Sequence, residues 1–578
     1  MARDPDDGAA FVFDLVDDDA ADPGATRTIG IDDRDRPDDG EGGDGDGDGG
    51  PAGPGEGPDG LPAGGPASGG QALTWRRAAP VLALVAVALG TGLGVDAARD
   101  AARMDRMREV PGGVADLSVP LGEEWSWSGK VDVGEGTTDV AVLGDALVFE
   151  SDGELVALDP ATGEEAWTVG LGEGAECGPT VSPVWDDPVT PALVCLQERG
   201  QDTEVFVVGP DGEASRPRLL DAADTREFGP PHTGPDGTVL RARRAGPGTQ
   251  VPSDVRCDTS GECSGSITNG RDLVLRAEDA VTGEERWRVT IPFRPTEATL
   301  CTSTFGSAWG SSGNRIHLIG QLAPDAFGAR VRADLVNVEG CGVQAAVTAS
   351  GVLLGSRLEP GSSVVGRLGS GGYLGMSWDD VARTLMYAAD GTTVGEVAGY
   401  VITPKATDQV GADTLLAIDE PRRRLAAHDA DGSARWDIAL QSGGQEFLAQ
   451  VGETAVITSG AGTVRGLDLA TGEERWLWDG SDPDEEADGG YFGTAYVVQA
   501  FTDGEVVLLL AEGSGTVARG MVALDAGTGE LLWEEAGGAR TTLDPHDGDV
   551  VRQGVTGDLI AVDGHLLEVG SLGVRGLG

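Results

Sequence analysis

Short apolar, strand-like runs recur along this chain, and each leads into the same polar punctuation. Four segments close on nearly one phrase: ALDPATGEEAW (Ala157 to Trp167), AEDAVTGEERW (Ala277 to Trp287), GLDLATGEERW (Gly466 to Trp476) and ALDAGTGELLW (Ala523 to Trp533). A weaker fifth copy, AHDADGSARW, runs from Ala427 to Trp436. The apolar run predicts a strand, Thr-Gly or Asp-Gly predicts a tight turn, and Trp opens the next strand. Trp127 and Trp167 lie 40 residues apart, as do Trp436 and Trp476, where no insertion intervenes. That period is one four-stranded blade of a β-propeller.

The residue types follow from turn chemistry. Gly163, Gly283, Gly472 and Gly529 stand where the turn needs a positive φ, which glycine adopts without steric penalty. Asp159, Asp279, Asp468 and Asp525 can fold a carboxylate back onto turn N–H groups, and Thr162, Thr282, Thr471 and Thr528 can do the same with a hydroxyl. Trp167, Trp287, Trp436, Trp476 and Trp533 each offer a large ring to a neighbouring blade, since blades bury their faces only by stacking. These aspartates are therefore read as turn caps and not as catalytic or metal-binding groups.

The pattern A-L-D-x-x-T-G-x-x-x-W resembles the tryptophan-docking repeat of the pyrroloquinoline-quinone-like (PQQ-like) β-propeller family, across about residues 121–578. The resemblance implies an all-β propeller, with eight blades expected and seven as the alternative. Outside the clear copies only strand–turn–strand remnants such as LMYAADGTTVGEV remain. The family contains quinone-dependent dehydrogenases and also non-catalytic envelope scaffolds. The dehydrogenases carry two adjacent cysteines over the quinone, and this chain has no Cys-Cys pair. The expectation is a non-enzyme with no cofactor.

Charge and hydropathy divide the rest of the chain. The formal net charge is −56, which disfavours nucleic acid and other polyanions as partners. Residues 1–74 hold 19 acidic and 4 basic side chains among Gly/Pro/Asp runs and are expected to be a disordered tail. Within it GDGDGDGG fails as a calcium loop, because Gly55 stands where the bidentate Glu belongs. Phe11 to Asp19 is an apolar island that either docks a partner or reflects composition alone. Ala78 to Val95 is free of charge for 18 residues, bounded by Arg76–Arg77 and Asp96, and is expected to be a transmembrane helix. Residues 96–120 then read as a charged juxtamembrane stalk.

Arginines flank both ends of the apolar segment, so charge does not orient it. The cysteines do. Cys177, Cys195, Cys257, Cys263, Cys301 and Cys341 all follow it, an even number on one side, which points to disulfides in an oxidising exterior. Neighbour pairing (177–195, 257–263, 301–341) is expected among the 15 pairings that six cysteines allow. No zinc spacing competes with it. The five histidines are scattered, GxSxG is absent, and GAGTVRG (Gly460 to Gly466) runs into a strand, against a dinucleotide loop. The resulting expectation is a single-pass membrane protein with its tail in the cytoplasm. Its extracytoplasmic propeller would be a binding scaffold for envelope proteins or polymers. A quinone-dependent oxidoreductase and a ligand sensor signalling to the tail are the alternatives.

Overall fold

The computed structural model describes residues 101–578 except 132–139, 173, 181–188, 259–262, 303–321, 356–362, 369, 378–381, 411–413, 441–444, 459–462, 481–495, 513–519 and 536–556. The acidic tail and Ala78 to Val95 lie outside the described residues. Among the described residues no helix is long and apolar enough to cross a membrane.

Nine sheets of four or five strands follow one another along the described chain. Blades 1 to 8 span residues 141–170, 176–220, 231–291, 327–354, 363–398, 400–439, 447–479 and 496–535, and blade 9 combines 558–577 with 123–128. The expected count of eight, or seven, is therefore corrected to nine. Blades 2, 4, 5 and 9 all lack the Asp-x-x-Thr-Gly-x-x-x-Trp phrase, so the repeat by itself does not fix the count.

Burial orders the strands within a blade. First strands such as Ala141–Leu143 and Phe447–Val451 are buried throughout, whereas fourth strands such as Glu165–Gly170 and Ala434–Ala439 alternate exposed and half-buried positions. Nine apolar clusters join successive blades around the ring, including one between blades 9 and 1 (Ile560 and Leu567 with Val142 and Leu147). Polar side chains lace neighbouring blades as well. Gln499 of blade 8 donates to the Leu559 carbonyl of blade 9 and accepts from the Leu559 N–H, in the manner of a strand.

Closure comes from two strands far apart in the chain. Glu123–Ser128 pairs antiparallel with Gly573–Leu577 as the outer strand of blade 9, and Gly122 and Gly578 exchange backbone hydrogen bonds of 2.8 and 3.0 Å. Because the four strands alternate in direction, the first and third turns of every blade share one face. The second turns and the blade-to-blade connections share the other. The motif turns, being third turns, all lie on the first of these faces.

From residue 101 onward, the segment expected as a stalk packs against the ring. Residues 101–107 are helical, and Met107 and Leu117 are fully buried. The Val114 N–H donates to the Thr502 carbonyl at 2.8 Å, and the Ala115 N–H to the Gly564 carbonyl at 2.7 Å.

Candidate functional site

Each clear motif copy builds the same capped turn. In blade 1 the Gly163 N–H donates to the Asp159 carbonyl at 2.9 Å, closing the loop with Gly163 at φ 68°. The N–H groups of Ala161 and Thr162 both donate to Asp159 Oδ1 at 2.9 Å. The hydroxyls of Thr162, Thr471 and Thr528 donate to the Oδ1 of Asp159, Asp468 and Asp525 at 3.0, 3.1 and 2.8 Å. Asp279 caps Val281 and Thr282 in the same way. Turn N–H groups that would otherwise be left unpaired thus find their partners within five residues.

The glycine has a second duty that turn chemistry alone does not reveal. A Cβ on Gly472 would lie 2.6 Å from the Trp436 ring, and one on Gly529 would lie 2.5 Å from Trp476. Each Trp lays its face on the glycine of the following blade. Its Nε1 then donates to the carbonyl of the residue after that blade's Asp: Trp436 to Leu469 at 2.9 Å and Trp476 to Ala526 at 3.0 Å. Trp167 and Trp287 dock likewise onto Gly212 and Gly351, with hydrogen bonds to Pro210 and Ala349. Trp533 donates to the carbonyl of Leu117, so the pre-propeller segment stands in for the turn that blade 9 lacks.

Two docking residues escape the sequence pattern. The ring on Gly163 belongs to Trp125, which donates to Pro160 at 3.1 Å, whereas Trp127 donates to the Glu165 carboxylate. The 40-residue step from Trp127 to Trp167 is therefore not a step between equivalent positions. Blade 2 has no tryptophan here. Its Arg218 lies against Gly283, where a Cβ would come within 2.8 Å of Nη1, and its Nε donates to the Ala280 carbonyl at 3.0 Å. The arginine before the docking Trp also has a role: Arg286 and Arg475 bond Oδ2 of Asp279 and Asp468 at 2.8 and 2.6 Å. Burial pushes the Asp279 carboxyl up, but bonds from Thr282 and Arg286 outweigh it and hold the pKa at about 2. The bond from Arg475, with those from the turn, keeps Asp468 below the ordinary carboxylate range. All these motif carboxylates act as structural acceptors.

An ionic cluster is buried between blades 2 and 3. Glu278 receives Arg218 Nη2 at 2.9 Å and Arg276 Nη1 at 2.7 Å, with Arg241 Nη2 at 3.7 Å. Arg241 is 1 % exposed and also donates to the Gly229 carbonyl, while Arg276 lies 4.2 Å from the Phe228 ring on the short helix Ala222–Phe228. Burial, followed by the Arg241 cation, pulls the nearby His232 down to about 4. An unfolded chain takes up a proton on His232 as pH falls through about 6.5, but the folded chain does so only near 4. Folded-state stability should therefore decline across that window on this account. His232→Asn is expected to flatten the decline in urea titrations between these pH values, and an unchanged slope would refute it.

Three disulfides stitch blades 2 to 4: Cys177–Cys195, Cys257–Cys263 and Cys301–Cys341. Cys257–Cys263 lies in an insertion, residues 246–271, between the second and third strands of blade 3. Cys301–Cys341 ties the blade 3-to-4 connection to the second turn of blade 4. Both therefore lie on the face opposite the motif turns, around a satellite core of Ile267, Cys301 and Cys341 packed with Val255, Phe293 and Leu322. Arg244 fastens the platform beneath. Its guanidinium donates to the carbonyls of Arg271 (3.0 Å), Ala326 (3.0 Å), Cys341 (3.2 Å) and Asp325 (3.3 Å), and burial lowers its pKa to about 10. Val251 and Leu300 remain exposed on the platform. Native protein is expected to show no reactive thiol, with Cys257 and Cys263 in one linked fragment by mass mapping. Cys257→Ser with Cys263→Ser should cost roughly 2–3 kcal/mol.

All six cysteines are taken up in disulfides between non-adjacent residues. Among the described residues no group of three or more His, Cys, Asp or Glu could hold a metal ion. The residues present do not fit the adjacent-cysteine arrangement that the resemblance attaches to a quinone.

Residues 384–562 match the PQQ_2 family, described as outer membrane protein assembly factor BamB. No curated protein matches the chain. Among solved structures, BamB from Moraxella catarrhalis is similar at 13 % identity and TM-score 0.29, over 68 % of this chain and 97 % of that one. The computationally designed Ika8 protein is similar at 12 % and 0.29, over 78 % and 98 %. Quinohemoprotein alcohol dehydrogenase from Comamonas testosteroni is similar at 11 % and 0.31, over 79 % and 76 %.

Proposed function

We propose, from the premise that the chain belongs to the PQQ-like β-propeller repeat family, that it is a protein-binding scaffold of the bacterial cell envelope. In this reading Ala78 to Val95 anchors it as a single span, residues 1–74 are cytoplasmic, and the propeller stands outside the membrane. The family's description as an assembly factor supports protein partners, and three disulfides support an oxidising compartment. The single observation that carries the binding role is the stapled platform of blades 3 and 4. A ring supplies a rigid support, and a cross-linked insertion with exposed Val251, beside exposed Leu300 of the blade 3-to-4 connection, loses little freedom when a partner seats on it.

The test is cross-linking and purification of the full chain from membranes, beside a variant whose residues 251–265 are replaced by a short Gly-Ser turn. The same partner bands should be recovered with the native chain and lost with the variant, while the variant, though less stable without its staple, still unfolds in one cooperative transition. Bands that persist in the variant would remove the platform from the binding role. Titration of the purified chain with pyrroloquinoline quinone and calcium tests the oxidoreductase alternative; turnover of an alcohol or aldehyde would favour it.

A further inference from the structure

We propose that residues 101–118 are a rigid latch that holds the motif-turn face of the propeller toward the membrane and the disulfide platform away from it. The membrane half of this inference rests on the anchor reading above; the latch itself rests on the geometry of the described residues.

The latch crosses three blades. Arg103 Nη1 lies 2.7 Å from Glu505 Oε2 in the first turn of blade 8, and the side chains of Arg103 and Met107 lie over Gly504 of that turn. The Pro111 carbonyl accepts from Thr407, a residue paired with the first strand of blade 7. Gly112 approaches Ala406 so closely that a Cβ there would lie 2.9 Å from the alanine methyl. Gly112, at φ 67°, accepts from the Thr502 N–H at 2.9 Å. Val114 then donates to Thr502 and Ala115 to Gly564 of blade 9. Leu117 donates from its N–H to Asp503 Oδ2 at 3.0 Å and accepts Trp533 Nε1 at 2.8 Å. Asp503 is 2 % exposed, and its other oxygen takes the N–H groups of Glu505 and Val506.

Thr502 to Val506 and Gly564 belong to first turns, which share a face with the Asp-x-x-Thr-Gly turns. The helical start of the latch therefore leaves the ring on that face. Only residues 96–100 separate Ala101 from Val95. At no more than about 3.6 Å per residue, the step from Val95 to Ala101 reaches roughly 20 Å at most. A tether this short, fixed to three blades, does not let the ring turn over. Partners seated on the platform then meet the propeller from the side facing away from the lipid.

The test uses the full chain in vesicles whose headgroups carry a nitroxide quencher. The six native cysteines are paired, so a single added thiol takes a fluorophore: Glu530→Cys on a motif turn of blade 8, or Leu572→Cys, 55 % exposed, on the second turn of blade 9. Quenching is expected to be several-fold stronger at 530 than at 572. Met107→Asp combined with Asp503→Ala should abolish the difference. Hydrogen exchange of the Val114, Ala115 and Leu117 amides, slow in the native chain and fast in that variant, reports the latch independently of the membrane. Equal quenching in vesicles that retain the protein would overturn the inference and leave the anchor reading standing. Protein that fails to float with the vesicles would overturn both, and rapid exchange of the three amides would overturn the latch alone.

Discussion

Trp476→Ala is expected to lower the stability of the propeller by about 3–5 kcal/mol, the range for truncating a buried tryptophan. Trp476 is 8 % exposed within the cluster that joins blades 7 and 8, among Val464, Val507, Leu509 and Val522. The substitution opens a cavity on the face of Gly529 and leaves the Ala526 carbonyl without its indole donor. Leu477→Ala on the same strand removes a side chain that is 54 % exposed and should unfold like the native protein. Gly472→Val should match the damage of Trp476→Ala by another route. It forces a β-branched residue to φ 76° and drives a Cβ to 2.6 Å from the Trp436 ring. Asp468→Asn should be the mildest of the motif changes, since an amide oxygen still caps the turn, although it forfeits the charge opposite Arg475. Urea denaturation of the four variants checks the order. If Trp476→Ala and Leu477→Ala unfold together, docking contributes nothing and the role given to the repeat is refuted.

Glu278→Ala is expected to be as damaging, about 3–5 kcal/mol, because it leaves buried cations without their counter-charge. Arg241, Arg276 and Arg218 all converge on this carboxylate, and Arg241 is almost wholly enclosed. Glu285→Ala, which removes an exposed partner of Arg276, should change stability far less. Combining Glu278→Ala with Arg241→Leu should recover part of the loss, because the most deeply enclosed uncompensated charge is then gone. A double-mutant cycle by urea unfolding measures this coupling. A Glu278→Ala protein within about 0.5 kcal/mol of native would mean that the cluster is solvated and carries no such energy.

What the chain's order of residues determined by itself is the capped turn and the identity of most of its docking rings. Asp159, Thr162 and Gly163 meet through hydrogen bonds spanning at most four residues, so their chemistry is complete within one short peptide. Repetition of that peptide with Trp behind it carried the all-β propeller, and the even cysteine count behind an apolar segment carried the disulfides. Tertiary structure decided everything that depends on which surface meets which. A docking position asks only for a flat or extended group with a donor, so Arg218 serves as well as tryptophan, and Trp125 is distinguished from Trp127 only by its partner Gly163. Among the described residues, blades 4 to 6 meet without an indole. A Cβ on Gly391 would strike the Leu353 carbonyl, and one on Gly432 the Met386 methyl, so these contacts leave no fixed spacing to count. That is why nine blades stand where the repeat predicted eight. The latch was hidden for the same reason: residues 101–118 are charged and short of apolar runs, and partners hundreds of residues away, among them the Thr502 and Gly564 carbonyls and the Asp503 carboxylate, give them a fixed conformation.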